Sequence, residues 1–403
     1  MHIFRFSSKN ELKENMCGIG VDPYGVKIML PKADALLIRL NSTSNIIANI
    51  LKQEMLSLGG DVAVARGALT GKTQKTDCLI MGQLAQLYSL IRKLKLQPFG
   101  LRKFADDLDM NIKNYLRDDF ILPLGKRSLN FNGKTLVMGV INLTPDSFSK
   151  DGLYSIKTKD YSALALNKAQ KMAEDGADVI DLGGESSRPG AKGISVKEEL
   201  RRILPIVKKL AKNIDLPISI DTTKAEVARA ALECGAEIVN DISGLRDKRM
   251  VKVVAKHKAA VVIMHMLGRP VNMQKIAEYK SLIEDITAWL KKAVDSAECA
   301  GIKPNKIIVD PGLGFGKKPE HNLEIIKRLA DFKVLGKPIL IGPCRKSFIG
   351  NILGATPQDR LIGTLAACLN AAQSGASMVR VHDVKEVSQA LKMAAAIRNS
   401  TNA

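Results

Sequence analysis

The stretch Ile307-Ile308-Val309-Asp310-Pro311-Gly312-Leu313-Gly314-Phe315-Gly316-Lys317-Lys318 decides how the rest of the chain is read. Its apolar opening does not alternate, as expected of a parallel strand covered on both faces. The strand ends on the carboxylate of Asp310, and three closely spaced glycines then let the backbone approach something bound. In α/β proteins, ligands sit at the C-terminal ends of strands. An acid there, walled by glycine and one phenylalanine, suits a flat, nitrogen-rich ligand that donates hydrogen bonds. A Walker A phosphate loop does not fit, because Pro311 stands where its first Gly is needed and Lys318 where Ser or Thr should follow Lys317.

Working outward, the same rhythm runs from about residue 135 to the C-terminus. Apolar strand candidates fall at 136–141, 179–182, 218–220, 238–239, 260–264, 307–309, 339–341 and 378–381. Helical patterns alternate with them at 163–173, 197–210, 224–234, 248–255, 283–300, 320–329, 360–372 and 385–397. Eight strands alternating with eight helices predict an α/β fold, a (β/α)8 TIM barrel over residues 134–403. A doubly wound open sheet is the alternative, but the first strand–turn lacks the GxGxxG fingerprint of a nucleotide-binding sheet.

Residues 1–120 read as a smaller N-terminal α/β domain, and 121–133 as a linker. Strands are expected at 24–30, 33–40 and 78–81, and helices at 46–58, with Ser44 as cap, and 84–96. Nothing there has the spacing of a catalytic site. No apolar run approaches a membrane span, and the N-terminus lacks the apolar core of a signal peptide. The six cysteines, at 17, 78, 234, 299, 344 and 368, form no CxxC pair and read as reduced thiols of a cytoplasmic protein. The net charge of +20 is spread over both parts, +7 on residues 1–130 and +13 beyond, with no basic arm. It favours anionic small molecules over nucleic acid.

Every strand of the expected barrel delivers polar groups at one end. They are Asn142 through Asp146, then Asp181 with Glu185-Ser186-Ser187-Arg188, Asp221-Thr222-Thr223, Asn240-Asp241 and Met264-His265-Met266. The opening stretch follows, then Gly342-Pro343-Cys344-Arg345-Lys346-Ser347 and Arg380-Val381-His382-Asp383. This is the catalytic face of such a barrel.

These segments, over residues 131–403 and in this order, resemble dihydropteroate synthases, the pterin-binding TIM-barrel enzymes of folate biosynthesis. The resemblance implies a transferase that condenses 6-hydroxymethyl-7,8-dihydropterin diphosphate with 4-aminobenzoate, giving 7,8-dihydropteroate and diphosphate. It implies a pterin pocket of Asp221, Asn240, Asp310 and Lys346, lined by Met264, Phe315 and Gly342. Carboxylates would meet the pterin's N–H donors, and an amide or ammonium its acceptors. Diphosphate and aminobenzoate would draw on Asn142, Ser187, Arg188, Ser347, Arg380 and His382, with Asn142 also the ligand of Mg2+. Catalysis would rest on Lys346, Arg380, His382 and Asn142. Homodimerisation is implied by the resemblance alone. Three departures stand out: Ser187 where Thr is usual, Cys344 where Ser is usual, and Lys150-Asp151 in place of a common Asp-Gly-Gly.

Plainer roles compete at several positions. Asp221 could cap the helix at 224–234, Asn240 could shape a turn, Lys346 could be an exposed charge, and His382 a satisfied barrel-end histidine. His265 reads as architectural, and His257 and His321 as surface residues. Two rival functions also remain from sequence. A pterin-dependent methyltransferase acting on a corrinoid shares the pocket but has no diphosphate to hold. A non-catalytic pterin- or nucleic-acid-binding protein predicts no turnover.

Overall fold

The computed structural model describes residues 6, 9–143, 161–186, 190, 193–268, 273 and 277–400. The chain forms two compact units, one of residues up to Lys113 with Ile397 onward, the other Asn114–Ala396.

The first unit carries a three-stranded antiparallel sheet of β1 (Ala35–Ser44), β2 (Asp61–Val64) and β3 (Lys75–Gln83), in the order β1–β3–β2. Helices Asn45–Ser57 and Leu84–Leu94 follow β1 and β3. Ser44 caps the first of these, its Oγ accepting from Ile47 N at 3.4 Å. Residues 24–30, expected as a strand, lie instead in the helix Pro23–Ala33. Short apolar runs do not reveal their period, and the deciding signal is Asp22-Pro23: the carboxylate caps Tyr24 N at 2.8 Å and proline takes the first turn. Helix Leu101–Leu116 was not read from sequence, although Leu101, Ala105, Leu108 and Ile112 form its buried stripe.

In the second unit, eight parallel strands follow one another around a barrel: β6 (Leu136–Asn142), β7 (Val179–Gly183), β8 (Ile218–Asp221), β9 (Ile238–Asp241), β10 (Ala260–Met264), β11 (Ile307–Asp310), β12 (Leu340–Ile341) and β13 (Met378–Val381). The order runs β11 back to β6, then β13 and β12, and the parallel bridge Val309–Ile339 closes the ring. β6, β7, β10, β11 and β12 carry apolar side chains almost throughout and are buried along nearly their whole length, which explains the absence of alternation.

Residues 121–133, expected as a linker, contain a hairpin of β4 (Ile121–Leu124) and β5 (Arg127–Asn130). Its Leu122, Leu124 and Leu129, with Phe120 and Phe131, bury among Leu136, Val179, Ile238, Ala260, Ile308 and Met378 at the strand beginnings. The hairpin is the barrel's floor. The alternation of apolar Leu122 and Leu124 with a turn at Gly125 was its signal.

Register sets the other end. Asn142 pairs with Gly183, Gly183 with Asp221, and Asp221 with Asn240; Met264 pairs with Asp310. The polar strand ends therefore stand at adjoining positions around one rim.

Candidate active site

The centre of the site is a carboxylate–guanidinium knot. Arg380, on β13, places Nε 2.7 Å from Asp181 Oδ2 and Nη2 2.8 Å from Asp221 Oδ2. Asn240 Nδ2 donates to the same Asp181 oxygen at 3.2 Å, while the buried Asp181 Oδ1 has no hydrogen-bond partner among the described residues. Burial pushes the Asp221 carboxyl up to about 7; Arg380 opposes the rise, and Asp181 adds to it. The two carboxylates raise Arg380 further above its ordinary range despite its burial. Asp221 is not a helix cap: helix Ala225–Glu233 begins after Lys224, whose N–H is met by Thr222 Oγ1 at 3.2 Å.

The loop after β11 forms the second wall. Asp310, 6% exposed, accepts from Gly312 N at 2.6 Å, and burial raises its carboxyl to about 6. Gly312 has φ +72°, and a Cβ there would lie 2.1 Å from the His265 carbonyl, so only glycine allows this approach. Met264 and Phe315 share an apolar cluster with Ile242, Met266 and Met273. Lys346 Nζ sits 4.5 Å from the centroid of Phe315, a cation–π contact, and burial lowers the ammonium to about 8. Beneath the loop, Lys317 Nζ lies 3.0 Å from His265 Nδ1 and donates to Phe315 O at 3.2 Å. His265 stacks edge-on against Trp289, which fits its architectural reading.

At the rim, Asn142 Nδ2 lies 3.2 Å from His382 Nε2. An amide N–H can only donate, so this contact makes Nε2 the acceptor and leaves the imidazole proton on Nδ1, which faces Cys344 Sγ at 3.4 Å. Burial drives the His382 imidazole down to about 3, so it stands neutral. The Cys344 thiol is raised by burial to about 11 and is no thiolate nucleophile. Arg345 grips Asp383 with Nε at 3.0 Å and Nη2 at 2.5 Å, in a left-handed backbone conformation of φ 52°. That fork fixes the turn from which Lys346 and the exposed Ser347 project.

The structure thus brings together Asp221, Asn240, Asp310, Met264, Phe315, Gly342 and Lys346, and separately joins Asn142 to His382. It divides the pair expected to act as one at the end of the last strand: Arg380, on β13, turns to the carboxylates and His382, just past it, to Asn142. Ser187, Arg188 and the Lys150-Asp151 departure lie outside the described residues. At the root of the β7 loop, Lys224 bridges Glu185 at 3.0 Å and the wholly buried Glu199 at 2.5 Å. Sequence reading gave no role to Asp181, Lys317, Glu199 or the Arg345–Asp383 fork. Asp181 carried a signal, a charge inside the strand Val179–Gly183; the partners of the other three are set by folding alone.

A family model described as "Pterin binding enzyme" matches residues 138–382. A dihydropteroate synthase of Synechocystis sp. is 46% identical over 279 residues, covering 68% of this chain and 94% of that protein. A probable bifunctional folylpolyglutamate synthase/dihydropteroate synthase of Halobacterium salinarum is 40% identical over 361 residues. That match covers 88% of this chain, more than the barrel unit alone, and 42% of that protein. Among solved structures, Yersinia pestis dihydropteroate synthase with a sulfonamide drug superimposes with a TM-score of 0.66 at 40% identity, covering 70% of this chain and 100% of that one. Xanthomonas albilineans dihydropteroate synthase with 4-aminobenzoic acid gives 0.65 at 38% identity, covering 70% and 99%.

Proposed function

This chain belongs to the dihydropteroate synthase family of pterin-binding enzymes, and we propose from that premise that its barrel mouth joins 6-hydroxymethyl-7,8-dihydropterin diphosphate to 4-aminobenzoate. The products are 7,8-dihydropteroate and diphosphate. The observation that carries the reading is the convergence of Asp221, Asn240 and Asp310 with Lys346 over Phe315 at one rim. Asp221 and Asp310 accept from the pterin's N–H groups, while Lys346 and the Asn240 amide serve its acceptors. Met264 and Phe315 hold its faces, and Gly342 lies beside Arg380.

In the reaction the C–O bond between the pterin methylene and diphosphate breaks, and its electron pair leaves with diphosphate. The electron-rich pterin bears the methylene cation until the arylamine lone pair forms the C–N bond and the nitrogen sheds a proton. Asn142, its amide held by His382, faces the departing charge, with Ser187 and Arg188 completing that side by resemblance, and Ser347 receives the aminobenzoate carboxylate. Arg380 acts chiefly by keeping Asp181 and Asp221 in place. Preorganised polar groups of this kind are commonly the largest catalytic contribution.

Mg2+ fits this donor set in one way. Among the described residues no three His, Cys, Asp or Glu side chains could cage a metal. The Asn142 amide nitrogen is engaged with His382, so its Oδ1 is the hard oxygen available, and Mg2+ commonly takes one protein oxygen with phosphate oxygens and water. Bound so, it would neutralise charge on the leaving diphosphate.

No helix of the described residues is long and apolar enough to cross a membrane, and all six cysteines are free. We take the protein to act in the cytoplasm, on small molecules rather than nucleic acid, and as a homodimer. The test is release of pyrophosphate from the pterin diphosphate with and without 4-aminobenzoate. Sustained release that requires the arylamine and matches dihydropteroate formed is expected; release indifferent to it would overturn the reading, and none would leave a binding protein.

A further inference from the structure

We propose that Lys317 is a positioning residue of the pterin pocket, a buried cation that fastens the loop 312–316 onto the end of β10 and serves as countercharge for Asp310. The inference rests on the pterin reading above and deepens it. Lys317 is 2% exposed, so its ammonium cannot rely on water. An ammonium has three protons, and three acceptors surround this one: His265 Nδ1 at 3.0 Å, His265 O at 3.4 Å and Phe315 O at 3.2 Å. Two of them belong to β10's continuation and one to the loop, so a single side chain ties the two walls together.

The loop is held at two further points. Tyr279 Oη donates to Gly316 O at 2.8 Å, and Gly314 N donates to Asn322 Oδ1 at 2.7 Å. His265 N in turn donates to Asp310 O at 2.8 Å. What the fastening positions is the ring of Phe315, on which Lys346 rests, and the carboxylate of Asp310.

Charge also links Lys317 to Asp310. Asp310 lies in the field of three cations, Lys317 on its own loop, Lys346 after β12 and Arg380 on β13, each lowering its carboxyl against the larger effect of burial. Arg380 is already engaged by Asp181 and Asp221, and Lys346 faces the ligand space. Of the other titratable groups around the loop, His265 is driven down to about 2 and stays neutral, burial raises the Tyr279 phenol, and burial lowers the His321 imidazole. Lys317 is therefore the cation whose only evident service is to this wall. Burial lowers its own ammonium to about 7, with Asp310 opposing the fall, so the pair is ionised together only near neutrality.

The test follows 6-hydroxymethylpterin binding by calorimetry against pH for the full chain, Lys317→Met and Lys317→Arg. Removing the cation should raise the Asp310 midpoint by about one pH unit, so Lys317→Met binds about fivefold more weakly near pH 6 and within about twofold of wild type near pH 8.5. Lys317→Arg should retain most of the affinity near pH 6. In an Asp310→Asn background, Lys317→Met should cost little more, because the charge it serves is gone. A loss equal at every pH, or a full further loss on Asp310→Asn, would reduce Lys317 to a packing role. If Lys317→Met does not fold, the acid midpoint of Lys317→Gln decides in its place, and an unshifted midpoint overturns the proposal. Wild-type protein that binds no pterin at any pH would instead defeat the pterin reading itself.

Discussion

Arg380 Nη2 lies 2.8 Å from Asp221 Oδ2, joining the last strand of the barrel to the third across its mouth. A cation that sequence alone directs at the diphosphate is thereby committed to the pterin pocket. Arg380→Ala should leave Asp181 and Asp221 facing each other without their cation, at a cost of about 3 kcal/mol in stability. Pterin alcohol and pterin diphosphate should both bind more weakly to it. Preserved alcohol binding with a selective loss of diphosphate binding would return Arg380 to the anion site.

His382 predicts the opposite pattern. It touches Asn142 and Cys344, not the pterin carboxylates. His382→Ala should weaken the diphosphate by about tenfold, by releasing the Asn142 amide that the imidazole holds in place, and leave the alcohol unchanged. Equal losses for both ligands, measured by titration calorimetry, would make the histidine structural.

The carboxyls predict a pH dependence with opposite signs for the free and bound protein. Asp310 and Asp221 are raised from an ordinary 3.8 to about 6 and about 7, by burial above all. For the ligand-free protein that contribution to stability is complete below 3.8 and is lost as pH rises through those values. Pterin favours the ionised forms, so its affinity should climb as pH rises from about 5 to about 8, with protons released on binding. Calorimetry in buffers of different ionisation enthalpy reads that release. Asp221→Asn should remove the step near 7, and a flat profile in the wild type would contradict the assignment of both acids.

The strands were legible because a buried parallel strand leaves an apolar run between polar ends: Ala260–Met264 and Met378–Val381 match their sequence reading. So was the collection of residues at the rim, since strand ends in one barrel must adjoin. What the sequence could not convey was which charge meets which. Period two puts Arg380 and His382 on one side of a single strand, yet the strand ends at Val381, and the guanidinium reaches inward to Asp181 while the imidazole stops at Asn142. Side-chain length and the charges opposite decide that, and neither is local. The floor hairpin was missed because Leu122 and Leu124 are too few to outweigh a polar neighbourhood.

That hairpin predicts where the chain can be shortened. A chain beginning at Asn114 retains Phe120, Leu122 and Leu124 and should unfold cooperatively and turn over substrate. One beginning at Ser128 loses three buried side chains, each contributing about 1.5–3 kcal/mol, and its denaturant midpoint should fall sharply. Equal stability of the two shortened chains would show that the floor is dispensable.

Binding order follows from the depth of the two subsites. Asn240 and Asp310 are buried, whereas Ser347, expected at the aminobenzoate carboxylate, is exposed. Aminobenzoate is small and carries one carboxylate, so the exposed rim offers few contacts to fix it. A pterin seated under Lys346 and against Phe315 supplies a flat edge, and Mg2+ with pyrophosphate fixes Asn142 and the β7 side. The cost of ordering these groups then falls on the first ligands, and aminobenzoate meets a nearly finished pocket. Its affinity should rise at least about tenfold when Mg2+, pyrophosphate and a pterin are present, a coupling near 1.4 kcal/mol. Direct titration of the empty protein gives the comparison. Aminobenzoate binding equally well with and without them would mean that its site is complete before the pterin arrives.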